Sequence, residues 1–324
     1  MQQIESEIKM SATIYDIARL TGYNPGTVSR ALNNDPRVRE KTREKIREVG
    51  NLLGYVPNLA AKSLITGRTQ IIAVVSGSWL GGPMTALMLG LNKVLIQRGY
   101  LLMSLIYNNL EQFRMCLSRL KCGFCDGAIL LSPPQEFASA PEFDQLEKSG
   151  YPVVCFDQWI PGKNLPVVSN DAEQSIGLLS EKLLENGMDA AFLNFQPNTV
   201  AAWRRKCAEK VLRKNHIPYT SELEKLPELF RKHRVRNFGV YSDSTAGLDL
   251  IGEKLPPKRD FRCLGGIFDS WSKIVPSFFS QVFLCVQDID GESEIAVKIL
   301  FDMMNGVKPS PEPVFCPPKE ILIP

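Results

Sequence analysis

From residue 70 to residue 269 the sequence alternates short apolar runs with longer amphipathic ones. The apolar runs predict strands, among them QIIAVVSG at 70–77, LLMSLIY at 101–107 and PVVCFDQ at 152–158. The run at 84–100 predicts a helix, because Leu87, Leu91 and Leu95 follow one another at four-residue spacing. Strands that alternate with helices in this way build parallel sheets covered by helices. The fold class is therefore α/β.

The same alternation resumes after Ser175 and predicts a second α/β half, with strands at 190–195, 237–243 and 261–269. A chain of 324 residues with 44% hydrophobic composition can hold two or three domains. No apolar run approaches the roughly 20 residues of a membrane span, and the polar start MQQIESEIK does not predict a signal peptide. We therefore expect a cytoplasmic protein with no membrane partner, preceded by a disordered tail at 1–10.

The eight cysteines include one CxxC pair, Cys122 and Cys125. A zinc site would need a second pair at matching spacing, which the sequence lacks, and it contains only two histidines. We expect structural thiols here; a redox pair or a metal ligand set is the alternative. No cofactor is expected.

The segment YNPGTVSRALNN at 23–34 predicts a short helix with a defined start. Asn24 can cap the helix and Pro25 fits its first position, where the missing N–H costs nothing. Val28, Ala31 and Leu32 give it one buried face. A helix of about two turns is not stable alone, so it must pack on a neighbour.

Two neighbours are predicted. Upstream, Thr13 and Asp16 form a capping box and Gly22 ends the helix that they start. Downstream, a third amphipathic run extends from Val38 to Leu53. Two short helices joined by a tight turn form a helix-turn-helix, and we expect the three-helix domain at residues 11–56.

Charge is uneven along the chain. Residues 1–70 hold eleven Lys and Arg against seven Asp and Glu, a net of +4, whereas the whole chain carries +3. A basic module on a nearly neutral body is the electrostatic pattern of a phosphate-binding domain. A solvated helix face is the alternative explanation.

Three motifs in order, TIYDIARLTGYNPGTVSRALNN, VREKTREKI and GYVPNLAAKSLITGRTQIIAVV, resemble the LacI/GalR (lactose-repressor) family of bacterial transcriptional regulators. The resemblance is close over residues 11–76 and traceable to about residue 306. It departs at Arg39, which occupies the position of a capping Ser. It implies a periplasmic-binding-protein-like effector domain of two doubly wound parallel-sheet subdomains, and a homodimer that binds double-stranded operator DNA.

On this resemblance the helix at 25–32 lies in the major groove. We expect Arg30 to read bases, because a guanidinium can bridge guanine O6 and N7, and we expect Thr27, Ser29 and Tyr15 to contact phosphates. The complete set of contacts predicted for the module is Tyr15, Asn24, Pro25, Gly26, Thr27, Ser29, Arg30 and Asn33.

The resemblance also makes residues 57–69 a hinge that becomes helical on operator DNA. Leu64 matches the family's wedge residue, which opens a central base step in the minor groove. Asn58, Ala61 and Lys62 are the other hinge residues expected to contact DNA. A plain linker helix with Leu64 packed on protein remains the alternative.

The effector cleft is expected where strands end, because ligands of open α/β sheets bind at the carboxyl ends. The polar residues predicted there are Asp157, Asn170, Arg204, Asp243 and Asp269, and the family positions matched are those of Asp157, Arg204 and Asp269. Carboxylates and a guanidinium suit a polyhydroxylated, sugar-like ligand. The alternative is that Arg204-Arg205-Lys206 forms a solvated face and the aspartates cap helices.

The predicted effector-binding and dimerisation domain spans residues 70–324. Its first subdomain covers about 70–167 and 287–311, and its second covers about 168–286 and 312–324. Enzyme motifs such as GxSxG, HExxH and the phosphate loop are absent from the sequence. We therefore predict a non-enzymatic regulator, most simply a repressor gated by a small effector. The alternative is an activator or constitutive operator binder with a degenerate pocket.

Overall fold

The computed structural model describes residues 12–57, 63–64, 66–77, 82–133, 137, 139–160, 162–196, 199–243, 247–256, 260–268 and 276–323. The chain divides into two compact units, residues 1–69 and residues 70–324. The predicted tail and four predicted site residues lie outside the described residues: Asn58, Ala61, Lys62 and Asp269. In the described part, no helix is both long and apolar enough to span a bilayer.

The first unit consists of helices α1 (Ile14–Thr21), α2 (Pro25–Leu32) and α3 (Glu40–Leu52). The predicted capping box of Thr13 and Asp16 forms at the start of α1, and Gly22 ends that helix in the left-handed conformation. Arg39 precedes α3 without a side-chain cap, consistent with the missing Ser. The helices share a core of buried side chains: Ile17, Ala18, Val28, Ala31, Val38 and Ile46.

The second unit contains twelve described strands and eight described helices. The strands are β1 (Ile71–Gly77), β2 (Leu101–Tyr107), β3 (Gly127–Leu131), β4 (Val153–Phe156), β5 (Val167–Asn170), β6 (Ala190–Asn194), β7 (Tyr219–Thr220), β8 (Asn237–Ser242), β9 (Arg262–Phe268), β10 (Gln281–Gln287), β11 (Val314–Cys316) and β12 (Pro318–Leu322). The helices are α4 (Gly82–Gln97), α5 (Leu110–Leu120), α6 (Pro141–Ser149), α7 (Ala172–Glu185), α8 (Thr199–Lys214), α9 (Leu226–Lys232), α10 (Leu248–Lys254) and α11 (Ile289–Met304).

The strands form two six-stranded sheets, and both are parallel except for the edge strand β12. Sheet A has the order β11-β5-β4-β3-β1-β2, and sheet B has the order β12-β10-β9-β8-β6-β7. Helices α5 and α6 cover one face of sheet A while α4 and α11 cover the other. Sheet B is covered by α7 and α8 on one face and by α9 and α10 on the other. We call sheet A with its helices subdomain 1, and sheet B with its helices subdomain 2.

Two crossings between the subdomains differ from the sequence prediction. The sequence predicts the first crossing near residues 167–169, but this segment forms β5 inside sheet A, paired with β4 and β11. The last crossing is predicted after about Pro311, yet residues 314–316 still pair with β5. Subdomain 1 therefore extends through Asn170 and through Cys316. The sheet to which such a short strand belongs depends on pairing with strands that are distant in the sequence. Local periodicity contains no information on that pairing.

The thiol pair at 122 and 125 is not bridged, and all eight cysteines are free. Cys125 is buried with its Sγ 3.1 Å from the Tyr151 hydroxyl, and burial raises the pKa of its thiol. A buried protonated thiol is a poor nucleophile, so Cys125 contributes packing. No group of His, Cys, Asp and Glu arranged to hold a metal occurs in the part of the chain that the structure describes.

Candidate functional site

Helix α2 turns a polar face to solvent. Val28 and Ala31 are fully buried, whereas Gly26, Arg30 and Asn33 are exposed at the spacing of one helix face. The remaining predicted contacts of the module are exposed or partly exposed: Tyr15, Asn24, Pro25, Thr27 and Ser29. All eight can therefore be reached from solvent.

Local hydrogen bonds order this face. The Asn24 side chain accepts a bond from the Thr27 N–H at 2.8 Å, which fixes the start of α2. The Arg30 Nε–H donates to the Gly26 carbonyl at 3.1 Å, and the Asn33 side-chain amide donates to the Ser29 carbonyl at 2.9 Å. Because only Nε is bonded among the described residues, the two terminal nitrogens of Arg30 remain available to a ligand.

Several basic residues of the module hold the turn between α2 and α3. Arg37 donates to both carboxylate oxygens of Asp35, and these bonds lower the pKa of Asp35 to about 2. Arg43 donates to the backbone carbonyls of Asn34 and Asp35, and Arg47 donates to the Asn34 side chain. Part of the basic excess near the N-terminus is thus used inside the module, which counting charges does not reveal.

The hinge region is partly described. Ser63, Leu64 and Thr66 are helical, and the Gly67 N–H donates to the Ser63 carbonyl at 2.8 Å. Leu64 is 88% exposed.

The predicted effector residues that the structure describes converge. Asp157 directly follows β4, Asn170 ends β5, and Asp243 directly follows β8. Arg204 lies on α8 and donates from Nη2 to Asn170 Oδ1 at 3.3 Å. The charge of Arg204 also opposes the rise in the pKa of both aspartates. Both subdomains therefore contribute to one polar cluster, which we call the cleft cluster.

Arg204 is only 5% exposed, and its guanidinium lies 4.6 Å from the centre of the Phe268 ring. The solvated-face alternative is therefore wrong for Arg204, although it describes the exposed Arg205 and Lys206. The cap of α7 is Asp171, the neighbour of Asn170.

Burial raises the pKa of Asp157 and of Asp243. A hydrogen bond from Ser132 Oγ at 2.6 Å opposes this rise at Asp157, and the Gln196 N–H at 2.8 Å opposes it at Asp243. The second oxygen of Asp243, Oδ1, is buried and has no partner among the described residues. Such carboxylate oxygens can accept hydrogen bonds from the hydroxyl or amino groups of a ligand.

Sequence reasoning missed Ser132, Ser169, Gln196 and Phe268, which all contact the cleft cluster. Ser132 and Asp157 also share a left-handed backbone, with φ of 45° and 72°, which is uncommon outside glycine and frequent at functional sites. The strand-end rule that found Asp157 applies equally to Ser132, which directly follows β3.

Comparisons with known proteins agree with this architecture. Residues 13–58 match the family model described as bacterial regulatory proteins, lacI family. Catabolite control protein A of Priestia megaterium is 28% identical over 179 residues, which is 55% of this chain and 53% of that protein. The chain thus spans about half the length of the curated relatives it matches.

Two solved structures cover nearly the whole chain. The lac repressor dimer bound to operator and the anti-inducer ONPF superposes with a TM-score of 0.74 at 19% identity, over 97% of this chain and 98% of that one. The complex of the transcriptional regulator CelR with cellobiose gives a TM-score of 0.62 at 20% identity, over 96% and 98%. These two show a shared fold. The matching family model assigns the helix-turn-helix unit at residues 13–58 to the lacI family of bacterial regulatory proteins.

Proposed function

We propose that this protein is a sequence-specific transcriptional regulator that binds a palindromic operator as a homodimer and responds to a small polar effector. The observation that carries the proposal is the solvent-facing polar surface of α2 within a three-helix unit that matches the lacI family model. A helix of about two turns reads few base pairs, so useful specificity needs two copies on matched half-sites.

Selection of bound DNA from a random pool tests the DNA-binding part. The expected product is a two-fold symmetric site. Recovery of unrelated sequences, with affinity that depends only on salt, would leave a non-specific DNA binder.

An exposed apolar surface supports the homodimer. It follows the edge strand β2 and the helices α4 and α5 that pack beside it: Leu89, Ile96, Leu101, Ile106, Leu110 and Met115. Apolar surface gathered in this way marks protein–protein contact. Sedimentation of Ile106→Lys should show monomers where the wild type shows dimers, and a monomeric wild type on a full-length operator would contradict the proposal.

The exposure of Leu64 supports its role as the operator wedge. Leu64→Ser should weaken binding to the selected operator by about 2 kcal/mol, because the DNA bend that the wedge stabilises, and the contacts which that bend permits, are lost. Binding to random duplex depends on phosphates and should hardly change. Equal losses on both DNAs would assign Leu64 to the linker.

The cleft cluster supports effector binding, because Arg204, Asp157 and Asp243 converge from two subdomains. Two structural neighbours are complexes with ONPF and with cellobiose, so sugars and sugar derivatives come first in a thermal-shift screen. The effector must bind the DNA-competent and DNA-incompetent states with different affinity. Arg204→Ala should abolish ligand-dependent operator release and leave operator affinity without ligand nearly intact.

If no compound shifts the melting temperature of the wild type, the alternative gains support: an activator or constitutive operator binder with a degenerate pocket. Gln158 is a reason to test this alternative, since a basic residue is frequent at this position in the LacI/GalR family that the sequence resembles.

A further inference from the structure

The most basic part of the chain lies outside the DNA-binding unit. Residues 204–236 hold eleven Lys and Arg against four Asp and Glu, a net of +7, and both histidines of the protein. Residues 1–70 carry +4 and the whole chain +3, so the remainder of residues 71–324 carries −8. Apart from the buried Arg204, every Lys and Arg of this segment is exposed.

Half of the ten exposed cations have a carboxylate partner within 4.0 Å. Lys225 pairs with Glu222, Lys232 with Glu228, and both Arg205 and Arg213 with Glu209. Arg231 and Arg234 are two of the five exposed cations, with Lys206, Lys214 and Arg236, that have no carboxylate within 4.0 Å in the described part of the chain. The only side-chain bond of Arg231 there is from Nε to the Pro227 carbonyl at 3.4 Å. Two of the unpaired charges therefore lie three residues apart, at Arg231 and Arg234.

These two arginines line a surface cavity of about 440 Å³. It lies before the first residues of β8 and β9, which is the edge of sheet B opposite to Asp243 and the cleft cluster. The cavity is lined by Phe230, Arg231, Lys232, His233, Arg234, Val235, Pro256, Asp260 and Phe261. Volumes of this size suit small organic ligands.

Two of the side chains that line the cavity, Phe230 and Phe261, are aromatic and packed against each other. The Phe230 and Phe261 rings lie 4.7 Å apart, and Phe230 lies 5.0 Å from the fully buried Phe238. Where guanidinium groups and aromatic rings line the same cavity, the guanidinium groups can bind a phosphate through paired N–H donors while the rings contact the body of the same ligand.

We propose that this cavity is a second ligand site, separate from the effector cleft, and that it binds a small organic anion with a phosphate group and a planar or apolar body. Arg231 and Arg234 bind the phosphate, and Phe261 contacts the body. Asp260 also lines the cavity and repels the anion, which limits the affinity for phosphate alone.

Isothermal titration calorimetry of the full chain with phenyl phosphate, inorganic pyrophosphate and neutral phenol tests the proposal. We expect phenyl phosphate to bind, pyrophosphate to bind more weakly and phenol not to bind. Removing both guanidinium groups in Arg231→Gln/Arg234→Gln should weaken phenyl phosphate binding by about tenfold or more, the effect expected for losing charged hydrogen bonds. Asp260→Asn should act in the opposite direction and tighten pyrophosphate binding.

The matched control is Lys206→Gln/Lys214→Gln, which removes the same charge from exposed positions of α8 outside the cavity. It should leave the affinity unchanged. Equal losses in both double variants would reduce the effect to overall charge and overturn the site. The site would also be overturned if neither phenyl phosphate nor pyrophosphate bound at millimolar concentration. The same would follow if the protein bound random duplex DNA and only Arg231→Gln/Arg234→Gln abolished that binding.

Discussion

Arg30 and Arg204, the two arginines predicted to bind ligands, are held in two different ways. Arg30 is exposed and bonds to the backbone of its own helix, four residues away. Arg204 is 5% exposed, and its contacts include Asn170, 34 residues away in the chain, and Phe268. The arrangement of Arg30 on helix α2 therefore depends on local structure, whereas the cleft cluster depends on contacts between distant segments.

The difference has energetic consequences. An exposed arginine stays hydrated, so its loss affects binding and hardly affects folding. A buried arginine has lost its hydration, and the groups around it are arranged to compensate for that loss. Substitutions on the exposed face of α2 should therefore change DNA affinity alone. Substitutions in the cleft cluster should change both effector binding and the stability of the second unit.

The largest expected effect is that of Arg204→Ala on the free energy of unfolding. Its removal leaves Asp157 and Asp243 close together without the cation that offsets them, which costs about 3 kcal/mol. Urea unfolding at pH 7.5 measures the change. The control is Arg205→Ala, which removes an exposed side chain paired with Glu209 and should cost less than about 0.5 kcal/mol. Similar losses of unfolding free energy in both variants would mean that the buried Arg204 contributes no more to stability than an exposed arginine does.

Next in size is Arg30→Ala. It should lower discrimination at one base pair of each half-site by about 1–3 kcal/mol, because the bidentate contact with guanine is lost. Competition binding with single-base variants of the selected operator measures it. Lys41→Ala removes an equal charge from an exposed position of α3 and should weaken all sites evenly. An unchanged base preference in Arg30→Ala would make Arg30 a phosphate contact.

The same contrast explains what could be read from the sequence. The capping box of Thr13, the cap by Asn24 and the stop at Gly22 were predictable, because each involves residues within four positions of one another. The exposed face of α2 followed from the spacing of its buried residues. Local chemistry sufficed for the first unit because its helices are short and their ends are explicitly marked.

The second unit was less accessible to sequence reasoning. Its α/β class followed from periodicity, but the crossings after Asn170 and after Cys316 depend on pairing between β5 and β11, more than 140 residues apart. The burial of Arg204 could not be seen either, since the run Arg204-Arg205-Lys206 looks uniformly polar and only the register of α8 on sheet B distinguishes its members. Ser132 was missed although the strand-end rule covers it.

A smaller effect should follow from Asn24→Ala. Loss of the bond between the Asn24 side chain and the Thr27 N–H should destabilise α2 by about 1 kcal/mol. Hydrogen–deuterium exchange of peptides covering residues 25–32 should become faster, and peptides of subdomain 2 should not change. Asn33→Ala removes an exposed side chain that bonds within the last turn of α2, and it should have the weaker effect. Faster exchange in both units would contradict a local role.

The smallest expected effect, and the one with opposite sign, is that of Asp243→Asn. Burial raises the pKa of Asp243, so its ionised form is less favourable in the folded chain than in the unfolded chain. Asparagine keeps an acceptor for the Gln196 N–H and removes the buried charge. The variant should be more stable than the wild type by about 0.5–1 kcal/mol at pH 8, the usual size of a stabilising substitution at a functional site.

The pH dependence follows from the same shift. A carboxyl whose pKa is raised on folding contributes stability that is fully present below its unfolded pKa, near the ordinary value of 3.8, and that is lost as pH rises through the folded pKa. The advantage of Asp243→Asn should therefore disappear as pH falls toward 4. The pKa of Asp157 is raised in the same direction and Arg204 faces both carboxyl groups, so only the difference in stability between variant and wild type reports on Asp243 alone.

The exposed Asp249 supplies the control, since Asp249→Asn should not gain stability at pH 8. A loss of stability in Asp243→Asn at pH 8 would mean that the cleft cluster needs both negative charges to balance Arg204.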